Sequence, residues 1–270
     1  MSLFNIEDKV VVITGGTGVL GSAMAYGLAE NGAKVAVIGR SLEAGEEVVE
    51  QINKKDKEAL SFVADVLDEE QITAVREQVL KSCGKIDVLI NAAGGNMPGA
   101  TVTPEGTLLD LSVDEIKKVV ELNYLGTVLP TQIFLKHFIE QGHANVINIS
   151  SMAAQRPLTR VMGYSSSKAA IDNYTKWMAV ELAKRHGEHF RVNAMAPGFF
   201  LTKQNKSLLT NEDGSLTDRG NTIIDHTPFG RFGNPDELIG TLIWLCSDAS
   251  KFVSGTVIPV DGGFNAFSGV

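Results

Sequence analysis

The chain has 270 residues, of which 44% are hydrophobic and 21% are charged, and its formal net charge is −8. This composition is typical of a folded globular protein and excludes a disordered or low-complexity chain. The acidic excess provides no basic surface for a nucleic-acid backbone. The longest unbroken hydrophobic run, Leu242 to Cys246, has five residues, whereas a membrane-spanning helix needs about 20. We therefore expect a protein that binds neither nucleic acids nor membranes.

Two features of the chain predict a cytoplasmic location. The first eight residues contain neither the basic nor the apolar segment of a secretory signal. Cys83 and Cys246 lie far apart in the sequence, which favours free thiols in a reducing compartment.

The pair of His186 and His189 has no third ligand nearby in the sequence, so we expect no metal site.

Short β-branched runs alternate with helical stretches along the whole chain. Strands are predicted at residues 9–13, 35–38, 60–63, 88–90, 145–149, 190–194 and 256–260. Helices are predicted at residues 22–31, 42–53, 68–82, 112–138, 165–186 and 235–247. Strands without a polar face are buried on both sides, which is typical of a parallel sheet covered by helices. The sequence thus predicts one α/β domain over residues 1–270, a doubly wound parallel sheet of the Rossmann type with about seven strands.

A polar segment at residues 199–234 interrupts this alternation. It contains Gly214, Gly220, Gly230 and Gly233 and has no strand or helix pattern of its own. Loops of this length usually cover or form binding sites. We therefore predict an irregular lid over a substrate site.

A glycine-rich turn joins the first strand to the first helix. Gly16, Gly18 and Gly21 have the spacing of the dinucleotide fingerprint in its strand–turn–helix context. Such glycines let backbone N–H groups approach a pyrophosphate, and the helix N-terminus favours the anion. The alternative is a glycine turn that binds no ligand. The predicted cofactor contacts of this turn are Gly15, Gly16, Thr17, Gly18, Val19, Leu20 and Gly21.

The end of the second strand carries the signal for cofactor type. Gly39 occupies the position where an NAD site usually has an acidic residue, and Arg40 and Ser41 follow it. An arginine suits a 2′-phosphate, so we predict NADP(H) in preference to NAD(H). The alternative is that Arg40 stacks on the adenine or faces solvent.

Further motifs follow the later strands in a fixed order. They are Asp65 and Val66, Asn91 to Gly94, Asn123, Ser150 and Ser151, Tyr164 and Lys168, Pro197 and Gly198, and Val260 to Gly263. In their order and spacing these residues resemble the short-chain dehydrogenase/reductase family, and the resemblance covers essentially the whole chain. One departure is Val19, where the single-domain branch of this family usually has glycine.

The resemblance implies roles for these residues. Asp65 and Val66 would contact the adenine, and Pro197, Gly198 and Thr202 the nicotinamide end. The residues implied to line the cofactor between these ends are Asn91, Ala92, Ala93 and Gly94, with Tyr164 and Lys168. The implied catalytic tetrad is Asn123, Ser151, Tyr164 and Lys168. The family also implies a homodimer or homotetramer that assembles through the two long helices.

These residue types suit the reduction of a ketone. Tyr164 would supply the proton, and Lys168 lies one helical turn further on the same face. The ammonium of Lys168 is expected to lower the pKa of the tyrosine towards neutral pH. Ser151 would hydrogen-bond the substrate oxygen. Taken alone, each residue also has a structural interpretation. Tyr164 could be an aromatic side chain at an interface, Lys168 a solvated helix charge, and Ser150 and Ser151 a helix N-cap pair.

The predicted lid and two neighbouring loops offer amides and cations. Such groups suit hydroxyls and a carboxylate, although loops are also polar because they face water. The candidate substrate residues are Asn96, Arg156, Arg160 and Lys203.

The substrate is narrowed by a resemblance within the family. Residues 94–96, 197–205 and 211–220 look like those of D-mannonate oxidoreductases (fructuronate reductases). This implies the interconversion of D-fructuronate and D-mannonate. Enzymes similar to gluconate 5-dehydrogenase or to 3-ketoacyl reductases are the alternatives, and an NADP(H)-sensing regulator is the alternative outside the enzymes.

Overall fold

A computed structural model describes residues 2–55, 57–202 and 205–269 of the chain. The strands are β1 (Val10–Thr14), β2 (Lys34–Gly39), β3 (Ala59–Val63), β4 (Val88–Asn91), β5 (Ala144–Ile149), β6 (Phe190–Pro197) and β7 (Val257–Val260). They form one seven-stranded sheet in the order β3-β2-β1-β4-β5-β6-β7. All six pairings are parallel. The predicted α/β fold with a parallel sheet is confirmed.

The helices connect these strands and cover both faces of the sheet. They are α1 (Val19–Glu30), α2 (Leu42–Asn53), α3 (Glu69–Cys83), α4 (Val113–Val120), α5 (Gly126–Gln141), α6 (Met152–Gln155), α7 (Met162–His186), α8 (Lys206–Leu209), α9 (Asp218–Asp225) and α10 (Ile239–Cys246). One apolar cluster joins the sheet to α1, α2 and α10, and a second joins it to α3, α5 and α7. In the described part of the chain, no helix is both long enough and apolar enough to cross a membrane.

Alternation along β1 shows how one strand serves both faces. Val11 and Ile13 belong to the first cluster, whereas Val10 and Val12 belong to the second, because successive side chains of a strand point to opposite faces. The two edge strands differ from this pattern. β3 and β7 are only partly buried, since each has a neighbouring strand on one side alone.

Several predicted boundaries are wrong in a way that affects the site. The first helix begins at Val19 and not at residue 22, which brings the end of the glycine turn into the helix N-terminus. The helix predicted at 112–138 is interrupted by a π-helical turn at Glu121–Leu125. The last predicted helix begins with a separate 3₁₀ turn, Pro235–Leu238.

Two further differences concern α7 and the predicted lid. α7 begins at Met162, three residues earlier than predicted, so Tyr164 lies in its first turn. Residues 199–234 are not irregular throughout, because they contain α8 and α9. The apolar run on α7 divides: Ile171 and Met178 are buried, whereas Trp177 is 58% exposed.

The tight packing of α1 on β1 generates a stability prediction. A Cβ on Gly21 would lie 2.2 Å from the carbonyl oxygen of Gly15, whereas a Cβ on Gly240 of α10 would meet no atom within 4 Å. Gly21→Ala should therefore destabilise the fold by about 1–3 kcal/mol, as overpacking does. Gly240→Ala should stabilise it by about 0.5–1 kcal/mol, since alanine favours a helix.

Urea unfolding of both variants and the wild type measures these changes. The two variants carry the same added methyl group and differ only in the space around it. A Gly21→Ala protein as stable as the wild type would contradict the packing argument.

Candidate active site

A cleft of about 420 Å³ runs along the carboxyl ends of the strands. Its wall is formed by the residues that end or follow β1 to β6. The sheet order reverses between β1 and β4, and ligands of open α/β sheets bind at such a switch point. The cleft is therefore the candidate site for both cofactor and substrate.

Most of the predicted cofactor residues line this cleft. They are Gly15, Thr17, Gly18, Val19, Leu20, Gly21, Arg40, Asp65, Val66, Ala92, Ala93, Gly94, Tyr164, Lys168, Pro197, Gly198 and Thr202. Three others, Gly16, Ser41 and Asn91, are absent from the lining. Their assigned contacts remain predictions, and each of the three has another packing or hydrogen-bonding role.

The glycine turn brings backbone atoms close together at the start of α1. Gly15 has a φ of +66°, and a Cβ there would lie 2.6 Å from the Cα of Ala93. Gly18 is the N-cap of α1 and provides no side-chain cap, so the first N–H groups of the helix face the cleft without a side-chain acceptor. This cradle fits the pyrophosphate of a dinucleotide.

The three predicted residues outside the lining are held by the fold. A Cβ on Gly16 would lie 2.8 Å from Cγ1 of Val37, so Gly16 allows close packing against β2. The hydroxyl of Ser41 accepts a hydrogen bond from the N–H of Ala44 at 3.2 Å and caps α2. The amide of Asn91 donates to Thr131 and Asn148 inside the sheet.

The end of β2 packs against the glycine turn. A Cβ on Gly39 would lie 2.5 Å from Cγ2 of Thr17, so an aspartate at this position would require the Thr17 side chain to move. Arg40 lines the cleft and is exposed. The cationic side chain is therefore available at the adenosine end.

Three residues of the predicted tetrad, Ser151, Tyr164 and Lys168, line the opposite end of the cleft. Ser151 follows β5, and its hydroxyl accepts a hydrogen bond from the N–H of Ala153 as the cap of α6. Nζ of Lys168 lies 5.7 Å from the centre of the Tyr164 ring and donates to the carbonyl of Ile149 at 2.8 Å. The structure thus brings these three side chains together.

Asn123 lies behind the cleft, fully buried in the π-helical turn. Its amide nitrogen donates to the carbonyl of Gly95 at 2.7 Å, and its oxygen accepts from the N–H of Gly95 at 3.1 Å. A Cβ on Gly94 would lie 2.6 Å from that oxygen and 3.2 Å from Nζ of Lys168. Through these two hydrogen bonds, Asn123 holds the loop after β4 next to Lys168.

Burial dominates the electrostatics of the pair. Burial lowers the pKa of the Lys168 ammonium to about 8, and the Asp172 carboxylate acts in the opposite direction. Burial also raises the pKa of the Tyr164 phenol above its usual value, which the Ser151 hydroxyl partly offsets. The direction is opposite to the lowering expected from Lys168, because burial is the largest influence on the pKa of Tyr164 and raises it.

Sequence reasoning missed Asp172, which is 9% exposed and one turn beyond Lys168 on α7. The hydroxyl of Ser150 donates a hydrogen bond to its carboxylate. Burial raises the pKa of this carboxyl, and its hydrogen bonds act in the opposite direction. The spacing of four residues from Lys168 is a signal that could have identified it.

The three described candidate substrate residues all donate hydrogen bonds to other groups of the protein. The guanidinium of Arg156 donates to the backbone and side-chain oxygens of Asn265. Nε of Arg160 donates to the carbonyl of Val102 at 2.5 Å, and the amide of Asn96 donates to Thr101 at 2.6 Å. Lys203 lies outside the described residues.

The lid begins at the cleft wall. Phe199, Phe200, Thr202 and Asn205 all line the cleft, and the amide of Asn205 donates to the carbonyl of Phe200 at 2.8 Å. All four lie in the segment predicted as a lid, and Thr202 is also one of the predicted cofactor contacts. Across residues 2–55, 57–202 and 205–269, no three His, Cys, Asp or Glu side chains cluster as metal ligands would.

Comparison with known proteins supplements this geometry. Residues 9–213 match the family model described as short chain dehydrogenase. A solved Haemophilus influenzae protein, described as a candidate D-mannonate oxidoreductase with bound NAD, is 45% identical, with 98% of each chain covered and a TM-score of 0.92. A 2-dehydro-3-deoxy-D-gluconate 5-dehydrogenase of Escherichia coli is 34% identical over 98% of this chain and 99% of its own. A gluconate 5-dehydrogenase of Burkholderia cenocepacia in complex with NADP and tartrate is 30% identical over 98% of each chain, with a TM-score of 0.85.

The negative charge of Asp172, one helical turn beyond Lys168, generates a titration prediction. Asp172→Asn removes a negative charge that favours the ammonium, so the pKa of Lys168 should fall below about 8. NMR titration of ¹³C-lysine-labelled protein measures this pKa directly. Asparagine still accepts the hydrogen bond of Ser150, so the fold is preserved.

Asp114→Asn is the matched control, because Asp114 pairs with Lys117 on the surface of α4 at 3.0 Å. It should leave the titration of Lys168 unchanged. An unchanged titration in Asp172→Asn would show that the carboxylate does not act on the lysine.

Proposed function

Because the chain belongs to the short-chain dehydrogenase/reductase family, we propose that it interconverts D-fructuronate and D-mannonate by hydride transfer. Membership of the family supports the reaction class: the protein is an NAD(P)-dependent oxidoreductase that acts on CH–OH groups. The sugar acid is supported by one observation above all. The candidate D-mannonate oxidoreductase is 45% identical to this chain with 98% of each covered.

The proposed mechanism assigns the proton to Tyr164. A bound nicotinamide cofactor supplies or accepts the hydride. The phenol of Tyr164 donates its proton to the oxygen of the ketone during reduction, and burial favours this protonated form by raising its pKa. The hydroxyl of Ser151 hydrogen-bonds the same oxygen and stabilises the developing negative charge. In the oxidative direction Tyr164 accepts the proton back.

Lys168 and Asn123 support this transfer. With a pKa of about 8, Lys168 is largely an ammonium at neutral pH, and its charge stabilises the phenolate that Tyr164 becomes. Its hydrogen bond to the carbonyl of Ile149 fixes the side chain at the reactive end of the cleft, beside Tyr164. Asn123 holds Gly95, and so keeps the loop after β4 next to the lysine.

A second candidate function is the interconversion of a 5-ketogluconate and gluconate. It is favoured by the likeness to the Burkholderia cenocepacia gluconate 5-dehydrogenase. Both reactions exchange a ketone and a secondary alcohol on a six-carbon acid, so the same Tyr164 chemistry serves either. In both, the reacting carbon is C5 counted from the carboxylate, and D-mannonate and D-gluconate differ in configuration at C2.

Assays with purified enzyme test the proposed reaction. We expect reduction of D-fructuronate and oxidation of D-mannonate at higher kcat/KM than any other substrate of a panel with 5-ketogluconate, gluconate and a 3-ketoacyl thioester. Tyr164→Phe should lower kcat by about a hundredfold or more, since it removes the proton donor. Cofactor binding, followed by NADPH fluorescence, should be nearly unchanged.

Tyr26→Phe is the control, because Tyr26 packs against the apolar core and not the cleft. It should retain wild-type turnover. Preference for gluconate would favour the second candidate, and near-normal turnover by Tyr164→Phe would refute the role of Tyr164. Fluorescence changes without turnover of any ketone would favour the NADP(H)-sensing regulator.

For the cofactor, we infer a preference for NADP(H). Exposed Arg40 at the cleft and glycine in place of an acidic residue at position 39 support a 2′-phosphate site. Arg40→Ala should raise KM for NADPH about tenfold or more by removing a charge-assisted contact, while KM for NADH stays the same. A wild-type KM that is lower for NADH, the form bound by the Haemophilus influenzae protein, would contradict this inference.

The predicted homodimer or homotetramer and the cytoplasmic location remain predictions. Trp177 and Val180 on α7 are 58% and 56% exposed, and burial of such side chains in an interface would stabilise an assembly. This exposed pair supports contact through α7 without deciding between two and four subunits.

A further inference from the structure

The segment after β7, residues 261–267, folds into a compact turn that has no role in the proposed reaction. We call it the β7 turn. The carboxylate of Asp261 accepts hydrogen bonds from the N–H of Gly263 at 3.0 Å and from the N–H of Asn265 at 2.7 Å. The N–H of Phe267 donates to the carbonyl of Gly263 at 3.2 Å. These bonds define the direction in which the side chains of the β7 turn point.

The β7 turn packs against the lid at two places. The ring of Phe264 lies 5.1 Å from that of Phe199, edge to face at 71°, and Phe199 lines the cleft. The ring of Phe267 lies 6.4 Å from that of His226, the residue that ends α9. Edge-to-face aromatic pairs stabilise the contact beyond the burial of their surface. The wall of the cleft at Phe199 is thus supported from the β7 turn.

The β7 turn is also fastened to the end of α6. Oδ1 of Asn265 accepts a hydrogen bond from Nε of Arg156 at 3.2 Å, and its Nδ2 donates to Oε1 of Gln155 at 2.8 Å. Nη2 of Arg156 donates to the backbone carbonyl of Asn265 at 2.6 Å. Gln155 is the last residue of α6, and Arg156 follows it. Both polar atoms of the Asn265 side chain therefore hold this helix end.

The helix α6 determines how Ser151 is presented. Ser151 directly precedes α6, and its hydroxyl accepts a hydrogen bond from the N–H of Ala153 at 3.1 Å as the helix cap. The helix has four residues, too few to be stable without tertiary contacts. Met152 and Ala153 are buried at its start, and Asn265 holds its end. The orientation of Ser151 therefore depends on both attachments.

We propose that Asn265 and Phe264 are positioning residues of the active site, an inference that rests on the proposed roles of Ser151 and the lid. Through Asn265, the β7 turn fixes α6 and with it the hydroxyl of Ser151. Through Phe264, it fixes Phe199 at the wall of the cleft. One short segment thus aligns the group that stabilises the developing charge with the wall of the substrate site. Arg156 serves this fastening, where the sequence predicts a substrate contact.

The first test removes the attachment to α6. Asn265→Ala should lower kcat for the best ketone substrate about tenfold or more, because a small displacement of a group that stabilises the transition state is costly. KM for NADPH should stay unchanged, since the glycine turn is not part of these contacts. Asn265→Asp still accepts the hydrogen bond of Arg156 and should recover part of the lost kcat.

The second test removes the attachment to the lid. Phe264→Leu should raise KM for the ketone about threefold or more, with kcat nearly unchanged, because it removes the aromatic pair behind Phe199. Hydrogen–deuterium exchange checks both attachments without a substrate. Amides of residues 152–156 should exchange faster in Asn265→Ala, and those of residues 199–202 should exchange faster in Phe264→Leu.

Asn53→Ala is the matched control for Asn265→Ala. Asn53 ends α2, and its side chain accepts from the N–H of Ala59 at 2.9 Å and donates to the carbonyl of Ala59 at 3.4 Å, outside the lining of the cleft. The two variants lose the same kinds of hydrogen bond, so urea unfolding should show similar losses of stability. Only Asn265→Ala should lose kcat and show faster exchange at residues 152–156.

The outcomes separate this proposal from the proposed reaction. A normal kcat in Asn265→Ala, or an equal loss in Asn53→Ala, would overturn the positioning role while the reaction stands. If the wild type turns over no ketone of the panel, the proposed reaction fails. Unchanged amide exchange in both Asn265→Ala and Phe264→Leu would then overturn the fastening by itself.

Discussion

Burial of the Lys168 ammonium is the constraint on which the reactive end of the cleft depends. The lysine is 4% exposed, and the carbonyl of Ile149 accepts its hydrogen bond. Any side chain at position 94 would collide with the Asn123 amide and crowd Nζ of the lysine. The ends of β4 and β5, the first turns of α7 and the π-helical turn must therefore meet around this one charged group.

The opposite end of the cleft depends on the absence of side chains. Gly15, Gly21 and Gly39 each lie against backbone or side-chain atoms of a neighbouring element, at distances that a Cβ would not permit. The result is a cradle of backbone N–H groups at one end and a cluster of polar side chains at the other. A dinucleotide of the length expected for this fold would connect the two.

The sequence predicts the fold well and the site in part, and the reasons are physical. Strand order and helix placement follow from alternating apolar runs, because burial of those runs drives the fold. The destination of a polar side chain depends instead on tertiary contacts. The family resemblance implies that Asn91 lines the cofactor, and the structure adds that its amide bonds Thr131 and Asn148, while Ser41 caps a helix. The direction of the Tyr164 pKa likewise depends on a burial that no local spacing reveals.

The π-helical turn adds one residue to the long connection between β4 and β5. Each residue advances an α-helix by about 100°, and a π turn accommodates one residue more than the α-helical turn it replaces. α4 therefore presents one face to α7, while Ile133, Phe134 and Phe138 of α5 point into the sheet. Loss of a single residue from Glu121–Leu125 would convert this turn into an ordinary α-helical one and keep the flanking faces in phase. The extra residue therefore serves the turn itself, from which Asn123 reaches the carbonyl of Gly95.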